Sequence, residues 1–398
     1  MKTLSHRTLN IAPSLTVAID TLAKQLLAEG KDIVSLGAGE PDLDTPENVC
    51  KAGIQAILDK ELRYTAPTGI LKLREAVCAK LKRDNNLSYS PEQIIMTSGA
   101  KHAVFNSLAV LINPGDEILI PSPYWVTYPE LVQWMGGTPV FIKASAKNQF
   151  KISPTDLEKA ITPKTKAIIF NNPCNPTGAV YSKNELEALT QIITKQDLYC
   201  ISDEVYEHFV YDGDFTSIAS LKGMQERTIL INGVSKSHSM TGWRLGYNAA
   251  PIEIAKLITK IQSQSIHHPS NIAQYAAIEA LNNLDFVHSM KNAFLKRRSY
   301  MIHRLRTIPN IQIDTPPGAF YLFASVEKLY GKQSPSGHTI SNSSDFCKYL
   351  LEEEGLAIVP GLAFGDDSCV RFSYAASEET LQKACDRFEK GVLNLKDK

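Results

Sequence analysis

Between about Lys51 and Ala280 the chain alternates short apolar runs with segments of helical periodicity, and this alternation narrows the possible folds more than any other feature. The runs include Glu117–Ile120, Thr138–Ile142, Lys166–Phe170, Leu198–Ser202 and Thr228–Ile231, and Asn184–Lys195 is one of the helical segments between them. Short β-rich runs separated by helices predict βαβ units and a mostly parallel sheet. Ligands of such sheets bind beyond the carboxyl ends of the strands. From Thr16 to Leu27 apolar residues again recur at helical spacing, with Gly30 as the stop. The last hundred residues change character. Lys291–Arg306 reads as a basic helix, Pro316-Pro317-Gly318 breaks the chain, Ala319–Phe323 is strand-like, and Glu352–Glu354 with Gly355 precede a further strand and the loop Val359–Phe364. The expected architecture is α/β, with a large domain over residues 46–290 and a smaller α+β domain over 291–398. The N-terminal segment 1–45 is expected to pack with the smaller one.

A chain of 398 residues is long for a single ordinary domain, which agrees with that division. Its 42 Lys and Arg balance 42 Asp and Glu, so charge gives no reason to expect nucleic acid or an anionic membrane as partner. No apolar stretch approaches the ~20 residues that span a bilayer. Met1–Arg7 is followed by no apolar region of the secretory kind. Seven scattered cysteines, without a C-x-x-C pair or zinc spacing, predict free thiols in a reducing cytoplasm and no metal site. Cys174 reads as an inert small filler beside a site motif.

The richest motif is Gly233-Val-Ser-Lys236-Ser-His-Ser-Met-Thr-Gly-Trp-Arg244-Leu-Gly-Tyr247. It sets one lysine eight residues before one arginine, among small residues that let a backbone approach a bound group closely. Lysine forms Schiff bases with carbonyls, and arginine grips phosphate through two parallel hydrogen bonds. Pyridoxal phosphate carries both an aldehyde and a phosphate. Its ring nitrogen must stay protonated for it to act as an electron sink, and Asp203, directly after a strand-like run, is placed for that task. Asp203-Glu204 would equally cap a following helix. Tyr206, three residues on, reaches toward a ring hydroxyl. Asn171-Asn-Pro-Cys-Asn-Pro-Thr-Gly178 makes a rigid loop in which Asn175 offers an amide donor, with the bond to Pro176 open to the cis form. Thr97–Lys101 opens an apolar helical stretch, so the N–H groups of Gly99 and Ala100 would face an anion, with Ser235 and Arg244 completing the cradle. Trp125 offers a flat face for the ring. None of the nine histidines is assigned a role.

The stretch Gly233–Gly246 resembles, without a gap, the pyridoxal-phosphate attachment signature of class I aminotransferases. Asn171–Gly178 resembles the N-P-x-N-P-T-G element of the same family. Ser35–Pro46, Tyr64–Ala76, Asp116–Tyr128 and Gly355–Ala375 look like the bacterial aspartate aminotransferases, the subgroup that also contains aspartate/prephenate aminotransferases. The resemblance covers essentially the whole chain and is weakest from Val326 to Ser344, which reads as a surface loop. It implies a fold-type-I transferase with a seven-stranded, mostly parallel sheet sandwiched by helices, and a homodimer in which Tyr64 crosses to the second subunit's site. It also implies pyridoxal 5'-phosphate on Lys236, Trp125 over the ring and Asn175 at its hydroxyl. Arg371 would hold the α-carboxylate in a two-bond fork with Asn175 and the backbone of Gly39, and Lys101 with Ser14 and Thr16 would take a second carboxylate. One departure is Gly233, where some relatives carry serine. The implied reaction is ping-pong transfer of the amino group from L-aspartate to 2-oxoglutarate. The alternatives are prephenate or aromatic substrates, a lyase of the same fold, or a non-catalytic effector-binding domain.

Overall fold

In the computed structural model, which describes residues 3–9 and 11–397, the N-terminal segment contributes a two-residue strand, β1 (Val34–Ser35). The strands β2 (Ile94–Thr97), β3 (Glu117–Ser122), β4 (Thr138–Lys143), β5 (Thr165–Asn171), β6 (Tyr199–Asp203), β7 (Thr228–Gly233) and β8 (Gly246–Ala249) then form one sheet in the order β2-β8-β7-β6-β5-β3-β4. Only β8 runs against the others. The five apolar runs read from the sequence are β3 to β7; four are extended by one or two residues, and Leu198–Ser202 is shifted by one residue as β6.

Both faces of this sheet are buried along its inner strands, as continuous apolar runs require, while the edge strand β4 leaves Phe141 exposed. On one face Ile118, Ile120, Ile169, Ile201 and Ile229 pack with residues of helices Ala100–Leu111 and Ile252–Ser263. On the other, Leu119, Ile168, Phe170 and Cys200 meet Leu186, Leu189 and Ile193 of helix Lys183–Lys195. Each fully buried side chain of this kind contributes roughly 1.5–3 kcal/mol of transfer free energy. Helix Lys183–Lys195 starts one residue earlier than its periodicity suggested, because Ser182 and Glu185 form a reciprocal capping box.

After helix Asp285–Arg306 come β9 (Tyr321–Ser325), helix Ser343–Glu353, β10 (Leu356–Ala357), β11 (Val359–Pro360), β12 (Cys369–Ser373) and helix Glu378–Asn394. β11, β12 and β9 form an antiparallel sheet, while β10 pairs in parallel with β1. Phe294, Met301, Phe320, Leu322, Phe346, Phe372 and Phe388 fill the core here. Helix Leu15–Ala28 matches the expected N-terminal helix, and Gly30 ends it with φ +83°. The strand expected at Ala319–Phe323 begins two residues later. Ala319 adopts φ 55°, its N–H goes to Phe209 O at 2.8 Å, and Gly318 N–H goes to Gly178 O at 2.9 Å, so neither residue is free to join the ladder. The stretch Val326–Ser344 is mostly irregular and about half exposed, and Val326, Leu329 and Ile340 anchor it in the core. All seven cysteines are free, and among the described residues no helix is long and apolar enough to cross a membrane.

Candidate active site

A cavity of about 470 Å³ opens at the carboxyl ends of β5, β6 and β7, where Asn171, Asp203 and Gly233 terminate their strands. Helix Ala100–Leu111 points its N-terminus at this cavity, β12 brings Arg371 from the C-terminal region, and helix Leu15–Ala28 lays Thr16 against the opening. Of the residues singled out above, Gly39, Ala100, Lys101, Trp125, Asn175, Asp203, Tyr206, Ser235, Lys236, Arg244, Arg371 and Thr16 all line it.

Lys236 Nζ donates to Gly39 O at 2.5 Å. Burial lowers its pKa to about 8. Glu40 and Asp203 pull it up, while Arg244 and Arg371 push it further down. Asp203, only 4 % exposed, accepts a hydrogen bond from Tyr128 Oη at 2.7 Å, and no cation pairs with it among the described residues. Burial raises its pKa to about 6, against the bonds from Tyr128 and the Val205 amide. The segment after Asp203 forms turns rather than a helix, so the reading of Asp203-Glu204 as a helix cap does not hold.

Arg371 is 3 % exposed, with its guanidinium between the rings of Tyr321 and Phe364 at 4.7 and 4.9 Å. Nη1 donates to Asn175 Oδ1 at 2.9 Å and Nη2 to Gly37 O at 2.6 Å, while the buried Nε finds no acceptor among the described residues. A buried guanidinium without a carboxylate is costly to keep and calls for an anion. Asn175 is itself held by Asn171, whose Oδ1 accepts the Asn175 N–H at 2.7 Å. The Asn175–Pro176 bond is cis.

At the opposite pole, the first N–H groups of helix Ala100–Leu111 lack intrahelical acceptors and have no acidic side chain in the first turn. Gly99 differs from its expected role, because its N–H is spent on Thr97 O at 2.8 Å. Its absent side chain matters instead: a Cβ there would overlap the Arg244 guanidinium, and φ is +81°. Gly233 has no room for serine in this backbone, since a Cβ would sit 2.8 Å from Gly246 Cα and Leu245 O. Lys101 Nζ stands 5.1 Å from the Trp125 ring centroid, and burial with Arg244 nearby lowers its pKa.

Besides Gly99, two expected members lie off the cavity wall. Ser14 stands behind Thr16, joined by a 2.9 Å bond between their hydroxyls. Tyr64 is 90 % exposed and does not line its own chain's cavity; its ring is edge-on to His267 and His268. Conversely, three residues here carried no role in the sequence reading. Tyr128 bonds Asp203, Tyr321 shares a 2.8 Å bond with Tyr206 Oη, and Glu40 accepts from Thr241 Oγ1 at 2.8 Å. Only Tyr128 left a local trace, three residues after Trp125.

The residues fit pyridoxal 5'-phosphate. Asp203 is a buried carboxylate lacking a cation, the helix N-terminus with Arg244 and Ser235 is a phosphate cradle, and Lys236 offers an amine of lowered basicity. The raised Asp203 pKa has a measurable sign in the cofactor-free protein. Below pH about 4 both folded and unfolded carboxyls hold a proton, and between 4 and 6 only the folded one does. The contribution is therefore present at low pH and lost as pH rises through about 6. Relative to wild type, Asp203→Asn is expected to gain roughly 3 kcal/mol between pH 4 and 7 in denaturant unfolding, and a pH-independent difference would contradict the burial account.

A family model described as aminotransferase class I and II matches residues 31–388. A probable aspartate/prephenate aminotransferase of Rhizobium leguminosarum bv. phaseoli is 47% identical over 385 residues, covering 96% of each chain. The crystal structure of the aspartate aminotransferase from Rhizobium meliloti superposes with a TM-score of 0.96 at 39% identity over 100% of both chains. That of the Thermus thermophilus aspartate aminotransferase with maleate gives 0.92 at 40% identity, over 98% of this chain and 100% of that one.

Proposed function

The chain belongs to the class I and II aminotransferase family, and on that premise we propose that it moves the amino group of L-aspartate to 2-oxoglutarate, giving oxaloacetate and L-glutamate with pyridoxal 5'-phosphate as cofactor. One observation carries the reading: a single cavity holds a buried guanidinium without a carboxylate, a buried carboxylate without a cation, and a lysine with its pKa lowered to about 8. The architecture is that of fold-type-I transferases, as in the matched aspartate aminotransferases.

Bound pyridoxal 5'-phosphate supplies an aldehyde that captures amines and a ring that draws electron density from the captured carbon. Lys236 would hold it, and its freed Nζ would accept the proton leaving the substrate α-carbon. An amine with pKa about 8 is partly neutral near pH 7 and so serves as a base there. Asp203, fixed by Tyr128, would keep a proton on the ring nitrogen of the bound cofactor, and Asn175 with Tyr206 would meet its ring hydroxyl. Trp125 supplies a flat wall. Ala100, Ser235 and Arg244 hold the phosphate. Arg371 fixes the α-carboxylate through the fork whose Nε lacks an acceptor. Thr16, on the helix across the opening, excludes water from the reacting carbon.

Lys101, with Thr16 and Ser14 behind it, is the cation we assign to a second carboxylate. Lys101→Ala is expected to lower kcat/KM for aspartate roughly 5- to 10-fold, the size of one partly exposed charge contact, while leaving alanine and phenylalanine nearly unchanged. Comparable losses for all three, measured by steady-state kinetics, would remove Lys101 from substrate recognition. Prephenate also carries two carboxylates, and the relative named for both substrates favours testing it beside aspartate.

The protein is further proposed to be a homodimer. Tyr64 is 90 % exposed, and the preceding residues Ile54, Ile57, Leu58 and Leu62 are exposed as well, which supports an interface with a neighbouring subunit on this segment. Sedimentation of fully active protein as a monomer at micromolar concentration would end that part of the proposal. The seven free thiols support a reducing cytoplasmic location.

A further inference from the structure

Beside the cavity, a buried carboxylate in the segment after β6, which ends at Asp203, bonds the last residues of β7, which lead to Lys236. Glu207 lies four residues after Asp203 and is 6 % exposed. Lys80, from helix Leu71–Asn85, is 2 % exposed and pairs with Glu207 Oε1; its Nζ also donates to Asn85 Oδ1 at 2.7 Å. Asn85 Nδ2 donates to Glu207 Oε2 at 2.7 Å, and Asn232 Nδ2 donates to Oε1 at 2.6 Å. That last bond fixes which way the Asn232 amide faces, and its Oδ1 accepts the Gly233 N–H at 2.7 Å. Gly233 ends β7, lines the cavity, and precedes Lys236 by three residues.

A buried ion pair is weak support for stability, because well-packed apolar residues of similar volume often do as well or better. What this network provides is direction. Each acceptor atom of Glu207 is used, and the chain of bonds leads from Lys80 to the peptide group at which the Lys236 turn begins. We infer that Glu207, braced by Lys80 and Asn85 and acting through Asn232, is a positioning residue that sets the turn delivering Ser235 and Lys236 into the cavity relative to Asp203. The inference rests on the reading of Lys236 as the cofactor-bearing lysine.

Asn232→Ala cuts the last link and leaves the Lys80–Glu207 pair in place; Glu207→Gln keeps the shape and removes the charge. If Glu207→Gln fails to fold because Lys80 is left with only Asp84, 3.8 Å away, as its charged partner, Asn232→Ala carries the same test. The charged groups acting on Lys236 are Glu40, Arg244, Arg371 and Asp203, and neither variant alters them. Burial is the main cause of its lowered pKa, so a loosened turn that admits water lets the amine return toward 10.5. The probe is pyridoxal 5'-phosphate added to cofactor-free protein, with the rate of appearance of its protein-bound visible absorption followed against pH. The wild-type midpoint is expected near 8, and the variants' midpoints higher by roughly half a pH unit or more. In the loaded enzyme, kcat with aspartate is expected to fall roughly 10- to 100-fold with KM within about 2-fold, as for a reacting group displaced by a fraction of an ångström. An unchanged midpoint in a folded variant, even with lower thermal stability, reduces the network to a structural brace and overturns the inference. If wild-type protein itself takes up no cofactor, the reading of Lys236 fails and this inference with it.

Discussion

Lys236→Ala is expected to abolish steady transamination, with a fall in kcat of at least about 10⁴-fold, because one amine both holds the cofactor and moves the α-proton. No neighbouring group replaces it. The other lysine on the cavity wall, Lys101, is held over the Trp125 ring, and no histidine lines the cavity. The fold should survive, because among the described residues the Lys236 amine makes a single hydrogen bond, to Gly39 O. The effect on stability has a definite sign in cofactor-free protein. Burial disfavours the ammonium form, so wild type carries that cost fully below pH 8 and loses it as pH rises toward 10.5. The variant's stability relative to wild type should therefore be higher at pH 7 than at pH 10.5. Steady-state rates with circular dichroism and denaturant unfolding at the two pH values check both halves. Full activity in a folded Lys236→Ala protein would sink the assignment.

The second large effect is expected at Arg371. Two charge-assisted hydrogen bonds to an α-carboxylate are worth about 3–6 kcal/mol together, so Arg371→Ala should lower kcat/KM roughly 10²- to 10⁴-fold. Arg371→Lys should recover little of it, because an ammonium cannot reproduce the planar fork. The loss should be similar for aspartate, alanine and phenylalanine, since the α-carboxylate is common to all three. This separates Arg371 from Lys101, whose loss should fall on dicarboxylates alone. Removing the guanidinium also leaves Asn175 Oδ1 and Gly37 O without their donor, so thermal unfolding must accompany the kinetics. A loss confined to aspartate would move Arg371 to the side-chain end of the substrate.

The sequence and the structure agree most closely where a signal is local and repeated. β3 to β7 were legible as runs of three or four consecutive apolar residues, which the sheet buries on both faces except at its edge strand β4, where Phe141 is 44 % exposed. β2 and β8 did not stand out as runs. β8 is Gly-Tyr-Asn-Ala, with a single large apolar side chain, and it is a strand through its register with β2 and β7. The start of β9 shifted because the backbone of Ala319 and Gly318 is engaged by Phe209 and Gly178, distant partners that periodicity cannot reveal.

The site divides in the same way. Lys236, Arg244, Asn175 and Asp203 sit in motifs whose residue types already state a chemistry, and the fold gathers them at one sheet end. Tyr321 reaches Tyr206 from β9, and Glu40 reaches Thr241 across the cavity; both encounters exist only through tertiary packing. The amide of Gly99 was misread because a two-residue turn back to Thr97 is invisible in composition. Its glycine identity still mattered, since the Arg244 guanidinium occupies the space a side chain would need.

The most direct test of the central claim is the absorbance spectrum of cofactor-loaded protein before and after L-aspartate, with no keto acid present. The visible band of the lysine-bound cofactor is expected to disappear on adding aspartate, with oxaloacetate released stoichiometrically, and to return on adding 2-oxoglutarate. A band that persists with aspartate but responds to another amino acid would keep the aminotransferase and overturn its dicarboxylate specificity. The absence of any protein-bound band would contradict the account at its root.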